Sequence, residues 1–457
     1  MIGGRGNLFG TDGARGIANA DLTAEIALAV GRAFGAWLRQ QEEQPRVLVA
    51  RDTRLSGPML SAALAAGLCT AGVQVADCGV LPTPGLHLLA RAEDCSGGVV
   101  VSASHNPPDF NGLKLLARAG QKLTPREERE IEALVFAEED LAPRPTGAEV
   151  GAIELRPTAA REYVERLLEG LGQLDLGGLK VALDCAYGAA YEAGPAAFRQ
   201  AGAEVIAIHA EAEGARINVE AGALHPERLA AAVLTHGASL GIAFDGDADR
   251  AIIVDDKGQV RNGDHIKYLL AVDLQDRGKL APPLVVGTVM SNLGLELALE
   301  ARGIRLLRTR VGDRAVREAM EDSGAVLGGE QAGHIIFAET GVGDGIYTGL
   351  RVCEVLARTG QKMGERCSEV PQVPQVLLNV AVRDKYAWER SEELKAAVRE
   401  WETRLGAQGR VLIRASGTEP LVRVMVEAVE EGEAYAAAEA LAEIVARELG
   451  YGEVAEE

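Results

Sequence analysis

One pattern is written three times in this chain, and that repetition constrains its fold more than any other feature. The first copy is an apolar strand and turn, RVLVARDTRLSG (46–57), then a small-residue helix ending AAGLCTAG, then the strand VQVADCGV. The second reads LKVALDCAYG (179–188), a helix ending AFRQAG, and AEVIAIHA. The third reads PLVVGTVMSN (283–292), the helix LGLELALEARG, and IRLLRTRV. Each helix runs into a glycine, Gly72, Gly202 or Gly303, the residue that best adopts the left-handed conformation closing a helix. Strand, helix and strand at this spacing form βαβ units, which require a largely parallel sheet.

Each copy continues through a further helix to a third strand, and there the polar residues gather. The three endings are GVVVSASHNP (98–107), GIAFDGDADR (241–250) and AVLGGEQAGH (325–334). Ligands of open α/β sheets collect at the carboxyl ends of strands, so three equivalent endings are expected to converge on one cleft. The remainder, 371–457, follows another pattern: the strand VPQVLLNVAV, a helix around SEELKAAVREWETRL, the hairpin RVLIRASGTEPLVRVMVEA and a last helix, EAYAAAEALAEIVAREL. It reads as a C-terminal α+β module (βαββα) followed by a frayed acidic tail, GEVAEE. The fold class is therefore α/β: three repeated domains with mixed, largely parallel sheets, plus this module, around a central cleft. The boundaries fall at 1–154, 155–256, 257–370 and 371–457, in keeping with the three or four domains that ~457 residues usually make.

Composition narrows the function. Forty-seven basic residues against 67 acidic ones leave a net charge of −20. Such a chain repels nucleic acid and anionic membranes, although a few focused arginines can still hold a small anion in a cleft. The six cysteines form no C-x-x-C pair, so buried free thiols are expected and not a zinc or disulfide framework. The N-terminal sequence MIGGRGNLFG has no apolar signal region, and no apolar run reaches the ~18 residues that span a bilayer. These features predict a cytoplasmic protein.

The three endings and the hairpin differ in chemistry. DGDADR sets Asp245, Asp247 and Asp249 at alternate positions, which in extended chain share one side and make a cage of hard oxygens for Mg²⁺. An EF-hand is excluded because Arg250 stands where its turn needs glycine. RASGTEPLVR combines Arg414, Ser416, Gly417, Thr418 and Arg423 around a tight turn, a phosphate-binding arrangement of hydroxyls, backbone N–H groups and guanidinium. GGEQAGH offers Glu330 to hold sugar hydroxyls and His334 to move a proton. Arg15, between glycines in GTDGARG, can reach into a site, whereas Arg51 and Arg54 are expected to pair with neighbours such as Asp52. In SASHNP, alternation along extended chain puts Ser104 and His105 on opposite faces, which argues against a serine–histidine hydrolase. A serine beside a magnesium cage, with a phosphate grip elsewhere, points to a serine that itself carries phosphate.

Together SASHNP, DGDADR, GEQAGH and RASGTEP resemble, in order and spacing, the phosphoserine, metal, sugar and phosphate loops of the α-D-phosphohexomutase family. GTDGARG, GTVMSNLGLE and GTEPLVRVMVE resemble its glucosamine branch in particular. The resemblance implies a phosphorylated Ser104, with Ser102 an ordinary strand residue. It implies one Mg²⁺ per chain, held by the three aspartates and the serine phosphate. Lys114 lies near the transferring phosphate, His105 and Arg250 are charge partners there, and Gln331 belongs with Glu330 in the sugar loop. The implied reaction interconverts glucosamine 6-phosphate and glucosamine 1-phosphate through a bound 1,6-bisphosphate, on the route to UDP-N-acetylglucosamine and cell wall. Glucose or glucosamine 1,6-bisphosphate would activate the enzyme. The partner is a small phosphosugar, and a homodimer stays open. Three departures stand out: Ala332 replaces the usual serine, Tyr187 stands where asparagine is common, and NVEAGALHPE (218–227) lacks the usual cysteine and serine. They keep a sister mutase for glucose or mannose phosphates as the alternative; a non-catalytic phosphosugar-binding protein fits less well, because no loop has lost its key residue.

Overall fold

A computed structural model of the chain describes residues 8–10, 13–137, 142–416 and 419–455. Its strands form four sheets. The first three share one kernel. A central strand, Arg46–Arg51, Lys180–Asp184 or Leu284–Thr288, pairs in parallel on both sides. One flank is the next strand in sequence, and the other is the strand that ends in a polar loop: Gly97–Val101, Leu240–Phe244 or Leu327–Gly329. Each of these then reverses into an antiparallel partner, Phe110–Leu116, Ala251–Asp255 or Ile335–Phe337. Every polar loop is thus the turn at which a parallel sheet switches direction. A strand on each side fixes it at both ends.

The repeated helix ends are built alike. Gly72, Gly202 and Gly303 have φ of +84°, +95° and +70°. The N–H after each glycine reaches back to the last helical turn: Val73 to Leu68 at 3.1 Å, Ala203 to Phe198 at 3.0 Å and Ile304 to Leu299 at 2.9 Å. This is the Schellman closure that a glycine at that position permits.

One apolar core runs through the first three sheets, from Leu48 and Leu86 through Phe198 and Phe244 to Phe337 and Leu350. The fourth sheet has a core of its own, around Val380, Val424 and Leu441. It meets the third sheet through a buried polar clamp. Glu427, fully buried, accepts from Arg410 Nε at 2.6 Å, Asn292 Nδ2 at 3.1 Å and the Leu293 N–H at 2.9 Å. Arg410 also donates to the carbonyls of Val289 and Ser291, both at 2.9 Å.

The frayed tail expected at the C-terminus is not what forms. Gly450–Ala455 makes a strand antiparallel to Gln375–Val382, so the module is βαββαβ. The acidic composition hid this, because backbone groups on the open edge of a sheet seek partners whatever the side chains. All six cysteines are buried and unpaired, and among the described residues no helix is long and apolar enough to cross a membrane.

Candidate active site

The serine loop begins where the Gly97–Val101 strand ends. Ser104 is buried, and its φ of +51° places it in the left-handed region, unusual for a serine. A loop off the regular strand path turns the hydroxyl out of the sheet, where Ser104 Oγ donates to Asp245 Oδ2 at 2.7 Å. The same backbone turn overturns the expectation that Ser104 and His105 face apart. Their Oγ and Nδ1 atoms are 3.4 Å apart, because the alternation rule applies to extended chain only. Burial, with the nearby charges of Arg250 and Arg15, lowers the His105 pKa to about 4. These causes favour the neutral imidazole at this position.

Ser102, expected to be an ordinary strand residue, has a specific task. Its hydroxyl donates to Asp52 Oδ2 at 2.6 Å and accepts the Ser104 N–H at 2.9 Å. Asp52 in turn pairs with fully buried Arg54 at 2.9 Å. Arg54 then spends its remaining donors on the carbonyls of Ser104, Asn106, Pro107 and Phe110. Arg51 pairs with Asp77 at 2.9 Å. The RDTR turn is therefore the scaffold of the serine loop, a role its charged residues suggested only as local pairing.

Asp245, Asp247 and Asp249 lie on a turn after the Leu240–Phe244 strand, with Ala248 at φ +59°, and not in extended chain. Carboxylate oxygens of all three still come within 4.8 Å of one another. Burial and the neighbouring charges of Asp249 and Asp247 push the Asp245 carboxyl well above the usual range. Asp249 is equally buried, yet His334, Lys114 and Arg250 hold it well below. Oδ1 of Asp247 and Oδ1 of Asp249 are buried without a hydrogen-bond partner. Crowded hard oxygens with orphaned lone pairs are what a small divalent cation would satisfy, so this donor set fits Mg²⁺.

Polar groups from this and the neighbouring units close round the cage. Lys114 Nζ, on the Phe110–Leu116 strand, is 2.8 Å from Asp247 Oδ2 and 3.7 Å from Asp249 Oδ2. Thr83 donates to the same Asp247 oxygen at 2.6 Å, a contact that no local sequence signal announced. Arg250 gives its N–H to Asp245 at 3.2 Å. His334 Nδ1 stands 3.5 Å from Asp249 Oδ1. Burial alone would lower the His334 pKa, but the Asp249 and Asp313 carboxylates outweigh it and raise it. Lys114, Asp249 and His334 line one small cavity, so the first three polar loops do converge.

Glu330 accepts the Gly312 N–H at 3.0 Å, and Gln331 reaches Asp264 at 3.3 Å, while Ala332 is exposed at the tip of their turn. Arg15 lies in a short strand, Ala14–Ile17, and donates to Asn106 Oδ1 at 3.2 Å. In the fourth unit Arg414 and Arg423 face each other across the hairpin ladder. Ser416 closes the hairpin by donating its N–H to the Leu421 carbonyl at 2.8 Å. Gly417 and Thr418 lie outside the described residues.

Models of all four phosphoglucomutase/phosphomannomutase domains match this chain: α/β/α domain I over 6–142, domain II over 161–258, domain III over 262–373 and the C-terminal domain over 377–444. The chain belongs to this family. Among its relatives, the phosphoglucosamine mutase of Moorella thermoacetica is 49% identical over 94% of this chain and 96% of its own length. That of Symbiobacterium thermophilum is 47% identical over 97% and 99%. A phosphoglucomutase/phosphomannomutase family protein of Burkholderia thailandensis superposes with a TM-score of 0.80 at 28% identity, covering 97% of this chain and 99% of its own. The Aspergillus fumigatus N-acetylphosphoglucosamine mutase, solved with GlcNAc-6P and magnesium, shares the fold with a TM-score of 0.66 at 21% identity, over 96% and 95%. This phosphohexomutase is an isomerase that moves a phosphoryl group within a sugar phosphate.

Proposed function

We propose that the phosphohexomutase interconverts glucosamine 6-phosphate and glucosamine 1-phosphate, and that Ser104 carries the phosphoryl group exchanged with the sugar. The observation that carries this is the Ser104 hydroxyl, buried and 2.7 Å from a carboxylate of the three-aspartate cage. Asp245, Asp247 and Asp249 would hold Mg²⁺, which supplies positive charge beside the serine phosphate. Phosphoryl transfer asks for alignment and charge stabilisation more than for covalent chemistry. The chain's own contribution is of that kind. Lys114 brings an ammonium to the cage, Arg250 adds a second cation, and the Ser102–Asp52–Arg54 relay fixes the serine.

In the first transfer the bond between Ser104 Oγ and phosphorus breaks as a sugar hydroxyl oxygen takes the phosphoryl group, leaving a 1,6-bisphosphate. The hydroxyl proton passes to a base of the site, for which His334 beside the cage is suited when neutral. Ser104 Oγ leaves with a proton, becoming the hydroxyl that donates to Asp245, and the second transfer reverses both movements. The bisphosphate turns round and returns its other phosphoryl group to Ser104. Glu330, Gln331 and Arg15 would orient the sugar, while Arg414, Ser416, Gly417, Thr418 and Arg423 grip the phosphate that is not reacting. A 1,6-bisphosphate of glucose or glucosamine would load Ser104 and so activate the enzyme.

The test measures turnover of glucosamine, glucose and mannose 6-phosphates side by side, together with the intact mass of the isolated chain. Glucosamine phosphate should be preferred, and one phosphate should map to Ser104. Faster turnover of glucose or mannose phosphate would hand the chain to the sister mutases, for which the exposed methyl of Ala332 leaves room. Stoichiometric release of inorganic phosphate would make it a phosphatase.

A further inference from the structure

The loop 209–219 of the second unit, which carries none of the four recognised motifs, touches the serine loop directly. Asn218 Nδ2 donates to the Ser104 carbonyl at 2.9 Å and to the Asn106 carbonyl at 3.0 Å. Arg54 NH2 donates to the same two carbonyls, at 2.9 Å and 2.8 Å. Two donors from two units therefore meet on one pair of acceptors. Arg54 belongs to the same unit as Ser104 and can only shape the loop. Asn218 belongs to the unit that carries the aspartate cage. Gly246, inside that cage, lies so close beneath that a Cβ there would stand 2.6 Å from the Ser104 carbonyl and 2.9 Å from Asn218 Nδ2.

We infer that Asn218 is the positioning residue that holds Ser104 in register with the aspartate cage throughout the catalytic cycle. This rests on the reading of Ser104 as the phosphorylated serine. The reason lies in which contacts survive phosphorylation. Once Oγ carries phosphate it has no hydrogen to give, so the Ser104–Asp245 bond is lost in half of the cycle. The Thr83 and Lys114 bonds across the boundary end on Asp247, whose oxygens are also candidates for the cation. The Asn218 bonds end on main-chain carbonyls, which neither phosphate nor metal changes. The Thr83 N–H also reaches the Asp247 carbonyl, at 3.0 Å, but the Asn218 bonds are the lasting ones that end on the serine loop itself.

The residue is held for this task. Asn218 is buried, and its φ of +61° suits asparagine better than most side chains. Its N–H bonds to the Ala186 carbonyl at 3.1 Å. Two residues earlier, Arg216 lies over the Tyr187 ring, 4.2 Å from its centroid. Tyr187, at φ +53°, is one of the departures from the family pattern, and here it serves as a platform for the Asn218 loop instead of touching the cage.

Two variants test the inference. Asn218→Asp keeps shape and left-handed tolerance but replaces both donor hydrogens with a lone-pair oxygen aimed at two carbonyls. Asn218→Gly removes the donors without backbone strain. If Asn218 sets register, kcat should fall ~10- to 100-fold, more for Asp than for Gly, as expected when reacting groups are misplaced by a fraction of an ångström to an ångström. KM should stay within about twofold, since the Asn218 side chain bonds to the serine loop and not to the residues assigned to the sugar. Phosphoserine formation from glucose 1,6-bisphosphate, followed by intact mass, should slow by the same factor as kcat. A structural role predicts a lower melting temperature with unchanged kcat in the folded fraction. That result, or failure of both variants to fold, overturns the inference. Wild-type protein measured in parallel separates the two readings: no turnover and no phosphate on Ser104 would refute the nucleophile itself, whereas normal wild-type turnover with an unaffected Asn218→Asp refutes only the role of Asn218.

Discussion

At the loop from Ser104 to Phe110, one buried guanidinium, Arg54, serves four main-chain carbonyls. At the hairpin of the fourth unit, two guanidinium groups, Arg414 and Arg423, stand opposite each other on a ladder, where like charges ordinarily destabilise. Burial and the Arg423 charge lower the Arg414 pKa. The first arrangement is complete without a ligand; the second is one an anion would relieve. The packing follows the same division. The units bearing the serine, metal and sugar loops share a continuous core, whereas the fourth keeps its own and attaches through the Glu427 clamp. On the proposed mechanism, the end that would break and make bonds lies within the shared core. The end that would grip the sugar phosphate in two orientations lies on the separately packed unit, as a following movement would require.

The largest expected effect falls on the end within the shared core. Ser104→Ala should abolish turnover and remove the phosphate seen by intact mass. Ser102→Ala should keep the phosphorylatable serine yet lose part of kcat, because the Ser104 N–H loses its 2.9 Å acceptor and Asp52 loses a donor. Equal loss from both substitutions would make Ser102 and Ser104 interchangeable and break the assignment. Next comes the cage. Asp247→Asn, or excess chelator, should cut the rate by orders of magnitude while the melting temperature changes little, and full activity in chelator would remove Mg²⁺ from the mechanism.

On the gripping end the effect should be smaller and of another kind. Arg423→Ala should raise KM for the 6-phosphate and the 1-phosphate alike, each by about 1.5–3 kcal/mol for a lost charge-assisted bond. It should also let the bisphosphate escape, so that turnover depends more on added glucose 1,6-bisphosphate. The variant loses its repulsion with Arg414 and, against that, only a part-exposed pair with Glu419 at 3.7 Å, so it should melt little or no lower than wild type. A lower melting temperature with unchanged KM would mean that the hairpin is scaffold, and the contrast between the two ends would fail.

The division also explains what the sequence could reveal. Repeats, helix-closing glycines and the three aspartates are local patterns, so they were legible in one pass. The Ser104–His105 relation was misread because φ +51° is set by the hydrogen bonds of Arg54, Asn218 and Ser102 from elsewhere in the chain. Thr83 and Asn218 act across a unit boundary, 164 and 114 residues from the groups they touch, and no window of sequence contains both partners. The final strand was missed for a different reason. Its pairing answers an open sheet edge, and that edge is visible only once the sheet exists.

The smallest predicted effect concerns pH and sharpens the contrast from the side of the shared core. Asp344 is fully buried where the second and third units meet. It accepts the Tyr163 hydroxyl at 2.8 Å and caps a helix by accepting the Tyr347 N–H at 2.8 Å. Burial raises its pKa from 3.8 to about 6, against the opposing pull of those hydrogen bonds. The folded state therefore prefers the protonated acid. The stabilisation this brings is fully present below about pH 4 and fades as pH rises through about 6, by ~1–3 kcal/mol at ~1.4 kcal/mol per unit. Asp344→Asn keeps an oxygen for both donors and cannot ionise. Other carboxylates drive acid unfolding in both proteins, so the quantity to follow is the difference in melting temperature between them. Wild type should gain on the variant as pH falls from 7 to 4, and a difference that stays flat over that range would exclude the titration. Hydrogen exchange locates the effect: protection should change with pH in the helices carrying Tyr163 and Tyr347, while the fourth unit, whose core Asp344 does not touch, keeps the same protection in both proteins.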